Sequence, residues 1–186
     1  EKVPELDPAL VEDVIVGCAI PERKQGFNFA RLMVARAGLP DSVCGMTVNR
    51  FCSSGLQAIA LAASQIECGI ADVIVAGGVE SMTACPVNLD ISDTFDSELL
   101  AMRKAEYIPM GLTAENVAER YGITRREMEE LAVESHRRAA AAQDAGKFDD
   151  EIIPLPGVDP EGNDIVFDKD QGIRRDTNLE TLASMK

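Results

Sequence analysis

Three short runs of β-branched and small apolar residues, separated by segments with helical spacing, constrain this chain most. Val14-Ile15-Val16-Gly17-Cys18-Ala19-Ile20, Met46-Thr47-Val48-Asn49-Arg50 and Asp72-Val73-Ile74-Val75-Ala76 each read as a strand. Between the first two, Phe27 to Ala37 carries Phe29, Ala30, Met33 and Val34 at helical spacing, and Gly38-Leu39-Pro40 stops it. Between the second and third, Ser53 to Cys68 predicts a helix closed by Gly69. Gly77-Gly78 is expected to end the third strand. Strands alternating with helices predict an α/β fold with a largely parallel sheet.

The pattern changes after Met82, the candidate domain boundary. Residues 83–108 read as polar and irregular, with Asp90, Asp93 and Asp96 among them. A helix is expected from near Thr113 to just before Gly122. A second opens at Thr124-Arg125-Arg126-Glu127, where the Thr hydroxyl can accept the third helical N–H and the Glu can reach back. Met128, Leu131, Ala132 and Ala139 are its expected buried stripe, and Gly146 its end. Residues 150–172 suggest a small β region, with Ile152-Ile153-Pro154 and Asp164-Ile165-Val166-Phe167.

Composition excludes several function classes. At 186 residues and 46% hydrophobic the chain can bury a sizeable core as one domain or two small ones. A net charge of -14 argues against nucleic acid, which needs a concentrated basic surface. No run reaches the roughly 20 apolar residues of a membrane span. The opening E-K-V-P-E-L lacks the pattern of a signal peptide, and neither end of the sequence reads as a natural terminus, so a piece of a longer chain is expected. Five cysteines without C-x-x-C spacing, and a single His, predict reduced thiols in the cytoplasm and no metal site. Most of the thiols are expected as small core residues.

Cys52 stands apart because it lies where the second strand meets the alanine-rich helix. A helix start leaves unpaired N–H groups and carries about half a positive charge. A thiolate placed at a helix start is in general stabilised. Ser53, Ser54 and Gly55 keep the first turn small. The layout parallels the nucleophile elbow of serine hydrolases, and the Cys52 backbone N–H is placed to help hold an oxyanion. Inert packing is the competing role for Cys52.

Four segments, in order, carry a resemblance. V-N-R-F-C-S-S-G-L-Q-A-I at 48–59, A-D-V-I-V-A-G-G-V-E-S-M-T at 71–83, P-M-G-L-T-A-E-N-V-A at 109–118 and Q-G-I-R-R-D-T-N-L-E-T-L-A at 171–183 are similar to segments of the thiolases. The resemblance covers nearly the whole chain. It implies a thiolase-like layered α/β fold, with residues 1–82 as part of the N-terminal catalytic domain and 83–186 as a loop domain covering coenzyme A. It implies that Cys52 attacks a 3-oxoacyl-CoA and becomes acylated, with coenzyme A as co-substrate and no permanently bound cofactor. It also implies that Met110 lines the acyl pocket and that Arg174 contacts the nucleotide part of CoA. A core methionine and a solvated surface arginine are the competing roles. Arg175 inherits no family role.

The family also uses a His in G-H-P, an Asn in N-E-A-F and a second Cys. None of these motifs occurs in the sequence, so the 186 residues alone are expected to be inactive. His136, in E-S-H-R-R-A-A-A-A, does not match the catalytic His motif and is expected to be a solvated or partly packed helix residue. Cys18, Cys44, Cys68 and Cys85, the last assigned to the loop domain, do not match the second catalytic Cys. Pro109, where short-chain biosynthetic relatives carry His, points to the degradative 3-ketoacyl-CoA branch and to fatty-acid β-oxidation. A short 83–108 stretch points to a homodimer, with a tetramer as the alternative, and Met46 to Arg50 is the segment that pairs across the dimer axis in the family. The competing functions are acetoacetyl-CoA thiolase in the condensing direction and a non-catalytic acyl-CoA-binding relative.

Overall fold

β1 (Asp13–Gly17) forms the centre of a three-stranded parallel sheet of order β2-β1-β3, with β2 at Met46–Val48 and β3 at Ile74–Gly78. This is a computed structural model, and it describes residues 3–85 and 95–185. α1 (Phe29–Arg36) links β1 to β2, and α2 (Ser54–Glu67) links β2 to β3. A central parallel strand is covered on both faces, which is why β1 is an unbroken apolar run. Val14 and Val16 face Ala30 and Val34 of α1, together with Val11 and Val43. Ile15 faces the other way, onto Ala58 and Ala62 of α2, and is fully buried. Burying such a side chain contributes about 2 kcal/mol.

The helix stops read from the sequence share one mechanism. Gly69, Gly122 and Gly146 take φ of 68°, 67° and 67°. At each, the N–H one residue further on returns to a carbonyl of the last turn: Ile70 to Gln65 at 2.9 Å, Ile123 to Ala118 at 2.9 Å, and Lys147 to Ala142 at 3.1 Å. This is the Schellman closure, in which glycine takes the left-handed position without a Cβ penalty.

Gly77-Gly78 does not merely follow β3 but forms its last two residues, paired with Val16 and Gly17. A Cβ on Gly78 would stand in ordinary van der Waals contact, 3.5 Å, with both the Gly17 carbonyl oxygen and the Gly55 Cα, and one on Gly77 would meet nothing within 4 Å. β1 stops at Gly17 and β2 at Val48, earlier than the apolar runs suggest.

The chain divides into two compact units, 1–95 and 96–186, later than the compositional change at Met82. Residues 86–94 lie outside the described residues, and with them part of the 83–108 stretch used to expect a dimer. The described remainder of that stretch is not all irregular: α3 (Ser97–Met102) is capped by Asp96, whose side chain accepts from the Leu99 N–H, and a 3-10 turn spans Lys104–Tyr107.

In the second unit, α4 (Met110–Tyr121) starts earlier than expected, directly after Pro109. α5 (Arg125–Asp144) opens with the expected capping box on Thr124 and Glu127. Its buried face is not the expected stripe, since Leu131 is 71% exposed and only Glu129 is fully covered. Arg125 explains this. It pairs with Glu129 at 2.7 Å and donates to the carbonyls of Leu182 and Met185, drawing that side of α5 towards α6 (Leu179–Ala183). β4 (Leu155–Val158) and β5 (Asp164–Phe167) form an antiparallel hairpin, so the strand follows Ile152-Ile153-Pro154 instead of containing it. Among the described residues no helix is long and apolar enough to cross a membrane.

Candidate active site

Cys52 is exposed in the turn between the end of β2 and the start of α2. The residue before it is conformationally unusual. Phe51 has φ of 46°, a left-handed value that a bulky side chain rarely adopts, costing roughly 1–3 kcal/mol. Neighbouring side chains hold the turn in that shape. Ser54 Oγ donates to the Phe51 carbonyl at 2.6 Å and accepts from the Arg50 N–H at 2.8 Å. Ser53 Oγ donates to the Arg50 carbonyl at 3.0 Å. Asn49 Oδ1 accepts from the Phe51 N–H at 2.8 Å.

The first turn of α2 is pressed onto the sheet by glycines. A Cβ on Gly17 would stand 2.5 Å from the Gly55 nitrogen and overlap the Ser54 carbonyl group. Gly55 in turn lies against Gly78. Ser54 is buried, whereas Cys52, two residues earlier, is open to solvent. A nucleophile set on such a turn is accessible while its backbone is fixed, the arrangement needed for attack on a carbonyl.

Beyond the turn lies a polar cluster that the sequence did not reveal. Glu80, just after β3, accepts from the Ala19 N–H at 2.6 Å and from Gln25 Nε2. Gln25 is buried, donates to the Ile20 carbonyl and accepts from the Ser81 N–H at 2.9 Å. Burial, with the Glu80 carboxylate beside it, pushes the Cys18 thiol up, which keeps it protonated and inert.

The remaining cysteines divide differently from the expectation that most are core. Cys18 and Cys85 are buried, but Cys44 and Cys68 are exposed like Cys52. Cys85 packs in the first unit, its thiol donating to the Glu22 carbonyl at 3.1 Å. Among the described residues no group of three His, Cys, Asp or Glu side chains could hold a metal ion.

Met110 and Arg174 belong to the second unit. Met110 is the first residue of α4, 74% exposed, and lines an open apolar groove of about 490 Å³ with Val117, Ile123, Met128 and Leu131. The neighbouring arginines differ. Arg175 is committed to Asp144, with two contacts of 2.9 and 2.8 Å, and to Gln143 at 2.8 Å. The Arg174 side chain is exposed and, among the described residues, has no ion pair. Its backbone N–H donates to His136 Nδ1 at 3.1 Å. His136 is half-buried and uses that nitrogen to anchor the 171–178 loop, a structural task.

Comparison with known proteins identifies the family. The family profile "Thiolase, N-terminal domain" matches residues 1–186. The chain is 44% identical to a 3-ketoacyl-CoA thiolase of Bacillus subtilis, over 95% of this chain and 47% of that protein. It is 42% identical to the peroxisomal 3-ketoacyl-CoA thiolase 2 of Arabidopsis thaliana, over 97% of this chain and 40% of that protein. Among solved structures, the Bacillus anthracis acetyl-CoA acetyltransferase matches with a TM-score of 0.83 at 39% identity, covering 100% of this chain and 49% of that one. The chain thus spans about half the length of the relatives it matches. It belongs to the thiolase family and has the thiolase-like α/β fold.

Proposed function

We propose that the protein containing this thiolase-family chain is an acyltransferase that cleaves 3-oxoacyl-CoA with CoA to acyl-CoA and acetyl-CoA, with Cys52 as nucleophile. The observation that supports it most is an exposed Cys52 on a clasped strand-to-helix turn, in a chain 44% identical to a protein named 3-ketoacyl-CoA thiolase. The Cys52 thiol gives up its proton and its sulfur attacks C3 of the substrate. The C2–C3 bond breaks, the electron pair leaves on C2 of acetyl-CoA, and that carbon takes a proton. The sulfur of a second CoA then attacks the Cys52 thioester, its thiol proton is released, and Cys52 departs as thiolate. Sulfur suits both halves, since it attacks well and its thioester passes readily to another thiol.

The two proton transfers need an acid–base pair that this chain's motifs do not supply, so the isolated 186 residues are inactive on this reading. In the same reading Met110 and its groove receive the acyl tail, and the uncommitted Arg174 guanidinium receives phosphate or adenine of CoA, to which its planar fork is suited. Residues 1–82 act as the catalytic part and 83–186 as the part that covers CoA. No cofactor is held permanently, the role is fatty-acid β-oxidation, and the location is the cytoplasm. β2 is at an edge of the sheet, which supports a homodimer paired through that strand. A second reading, condensation of two acetyl-CoA, is favoured by the likeness to the protein titled acetyl-CoA acetyltransferase.

The test is a rapid quench of the full-length protein with a 3-oxoacyl-CoA, followed by peptide mapping. An acyl group on Cys52 and on no other cysteine is expected. An unmodified Cys52 in a folded, CoA-binding protein refutes the reading. Relative turnover of longer 3-oxoacyl-CoA and acetoacetyl-CoA separates the two directions.

A further inference from the structure

Phe51 is the strained element of the turn that carries Cys52, and its N–H is held by one side chain, Asn49, whose Oδ1 accepts it at 2.8 Å. Asn49 is itself held at its other end. Its Nδ2 donates to the Ala19 carbonyl at 3.1 Å, and the N–H of the same residue, Ala19, donates to Glu80 Oε2 at 2.6 Å. Glu80 is anchored in turn by buried Gln25, which also takes the Ser81 N–H. An uninterrupted line of hydrogen bonds therefore runs from the end of β3, through the loop after β1, to the turn after β2. Three segments that the chain connects only through helices are tied together beside one cysteine.

We propose that Asn49, fixed by Glu80 through Ala19, is a positioning residue for the reaction: it holds Phe51 in its left-handed conformation and so sets the attack position of Cys52. The inference rests on the thiolysis reading for its consequence in turnover, but its geometric content does not. An amide is suited to the task because it accepts at one end and donates at the other. An alanine could do neither, and a shorter hydroxyl could keep only the acceptor that closes the local turn. With the Phe51 N–H released, the left-handed conformation loses the support at its N–H and keeps the Ser54 hydroxyl on its carbonyl, so the turn is freer to relax to negative φ. The Cys52 sulfur would then move relative to the first turn of α2, and a small misplacement of a reacting atom is costly.

The experiment uses the full-length protein with Asn49→Ala, Asn49→Ser, Phe51→Gly and the Asn49→Ala/Phe51→Gly pair. Two readouts are taken. The first is the rate at which iodoacetamide labels Cys52, mapped by peptide and divided by the rates at Cys44 and Cys68, which are exposed thiols of the same molecule. The second is kcat and KM for a 3-oxoacyl-CoA. Asn49→Ala is expected to change the Cys52 labelling ratio and to lower kcat about five- to tenfold, the order of one lost hydrogen bond, with KM unchanged. Asn49→Ser should fall between alanine and wild type. Glycine carries no penalty at positive φ, so in the Phe51→Gly background the Asn49→Ala change should cost at most half its usual factor.

Unchanged labelling and kcat in folded Asn49→Ala overturns the proposal. So does an Asn49→Ala effect that is equally large with glycine at 51, since that would mean Asn49 acts by some route other than Phe51. If Asn49→Ala does not fold, Asn49→Ser against Asn49→Ser/Phe51→Gly makes the same comparison: a smaller effect with glycine at 51 supports the proposal, and an equal effect or none overturns it. Failure of the thiolysis reading would look different: wild type itself would give no acyl-Cys52 and no turnover, while the labelling ratios would still decide the role of Asn49.

Discussion

A single methyl group at Gly17 tests how the site is built. Gly17 ends β1 directly beneath the first turn of α2. A Cβ added there would lie 2.5 Å from the Gly55 nitrogen and 2.5 Å from the Ser54 carbonyl oxygen. Both are backbone atoms, so no side-chain rotation relieves the overlap. Reaching an ordinary separation of about 3.5 Å requires the helix start to move by roughly 1 Å. Overpacking of this kind costs about 1–3 kcal/mol. Cys52 precedes Ser54 on the same turn, so it moves as well, and a displacement of about 1 Å can cost on the order of a hundredfold in rate. The assay is Cys52 acylation in a single turnover of the full-length protein, alongside a denaturant melt. Gly17→Ala should lower both, with the rate falling further than the stability loss explains. Gly77→Ala is the control: it lies on the neighbouring strand with nothing within 4 Å of its new Cβ, and both quantities should stay near wild type. Equal behaviour of the two variants would refute the idea that the Gly17 contact sets the height of Cys52, the proposed nucleophile.

Arg174→Ala should raise KM for CoA about tenfold with little change in kcat, whereas Arg175→Ala, which removes the link to Asp144 and Gln143, should leave KM alone; equal effects of the two in steady-state kinetics would contradict the assignment. Thr124→Ala removes the acceptor for the Glu127 N–H and should cost about 1 kcal/mol in a denaturant melt, a loss that Thr124→Ser should mostly avoid. Acidification should loosen α5. The Arg137 and Arg138 guanidinium groups hold the Glu134 carboxyl at about 2 against an ordinary 4.5, and Asp144 is held low by Arg175. Carboxylates lowered in the folded state stabilise it fully above their unfolded values and lose that contribution as pH falls. Amide exchange in α5 should therefore rise as pH drops from 4.5 towards 2, after correction for intrinsic exchange, and Glu134→Gln should flatten the change.

The sheet and its helices were legible because β1 is an apolar run buried on both faces and the stops of α1, α2, α4 and α5 are left-handed glycines. What escaped the sequence depends on space rather than pattern. Gly77-Gly78 looks like punctuation, and only the register with Val16 and Gly17 shows it to be strand. α4 begins at Met110 without a side-chain cap, so its first turn carries no signal. The stripe on α5 is open because Arg125 draws the helix towards its Glu129 face, an interaction set by partners nearly sixty residues away. Cys52 stands out from its place between strand and helix, but its supports do not. A left-handed Phe51 is the reverse of what residue type predicts, and the roles of Asn49 and Glu80 exist only once three segments meet.

Those supports act on the same short stretch, Arg50 to Gly55. Gly17 fixes where the helix rests on the sheet, and that contact reaches the chain at Ser54 and Gly55. Asn49 fixes the turn at the Phe51 N–H, while Ser54 Oγ holds the Phe51 carbonyl. Ser54 is thus the meeting point: its backbone is pressed by the sheet and its hydroxyl closes the turn over Arg50 and Phe51. A cysteine carried on such a turn needs no packing of its own to be held in place. This reconciles two facts that pull apart for an ordinary core thiol, an exposed sulfur and a constrained backbone. Reactivity needs the first and catalytic attack needs the second. Cys44 and Cys68 are exposed on backbones bonded to Glu12 and to the end of α2, Cys18 and Cys85 are enclosed, and Cys52 alone among the described cysteines combines solvent access with a clasped strand-to-helix turn.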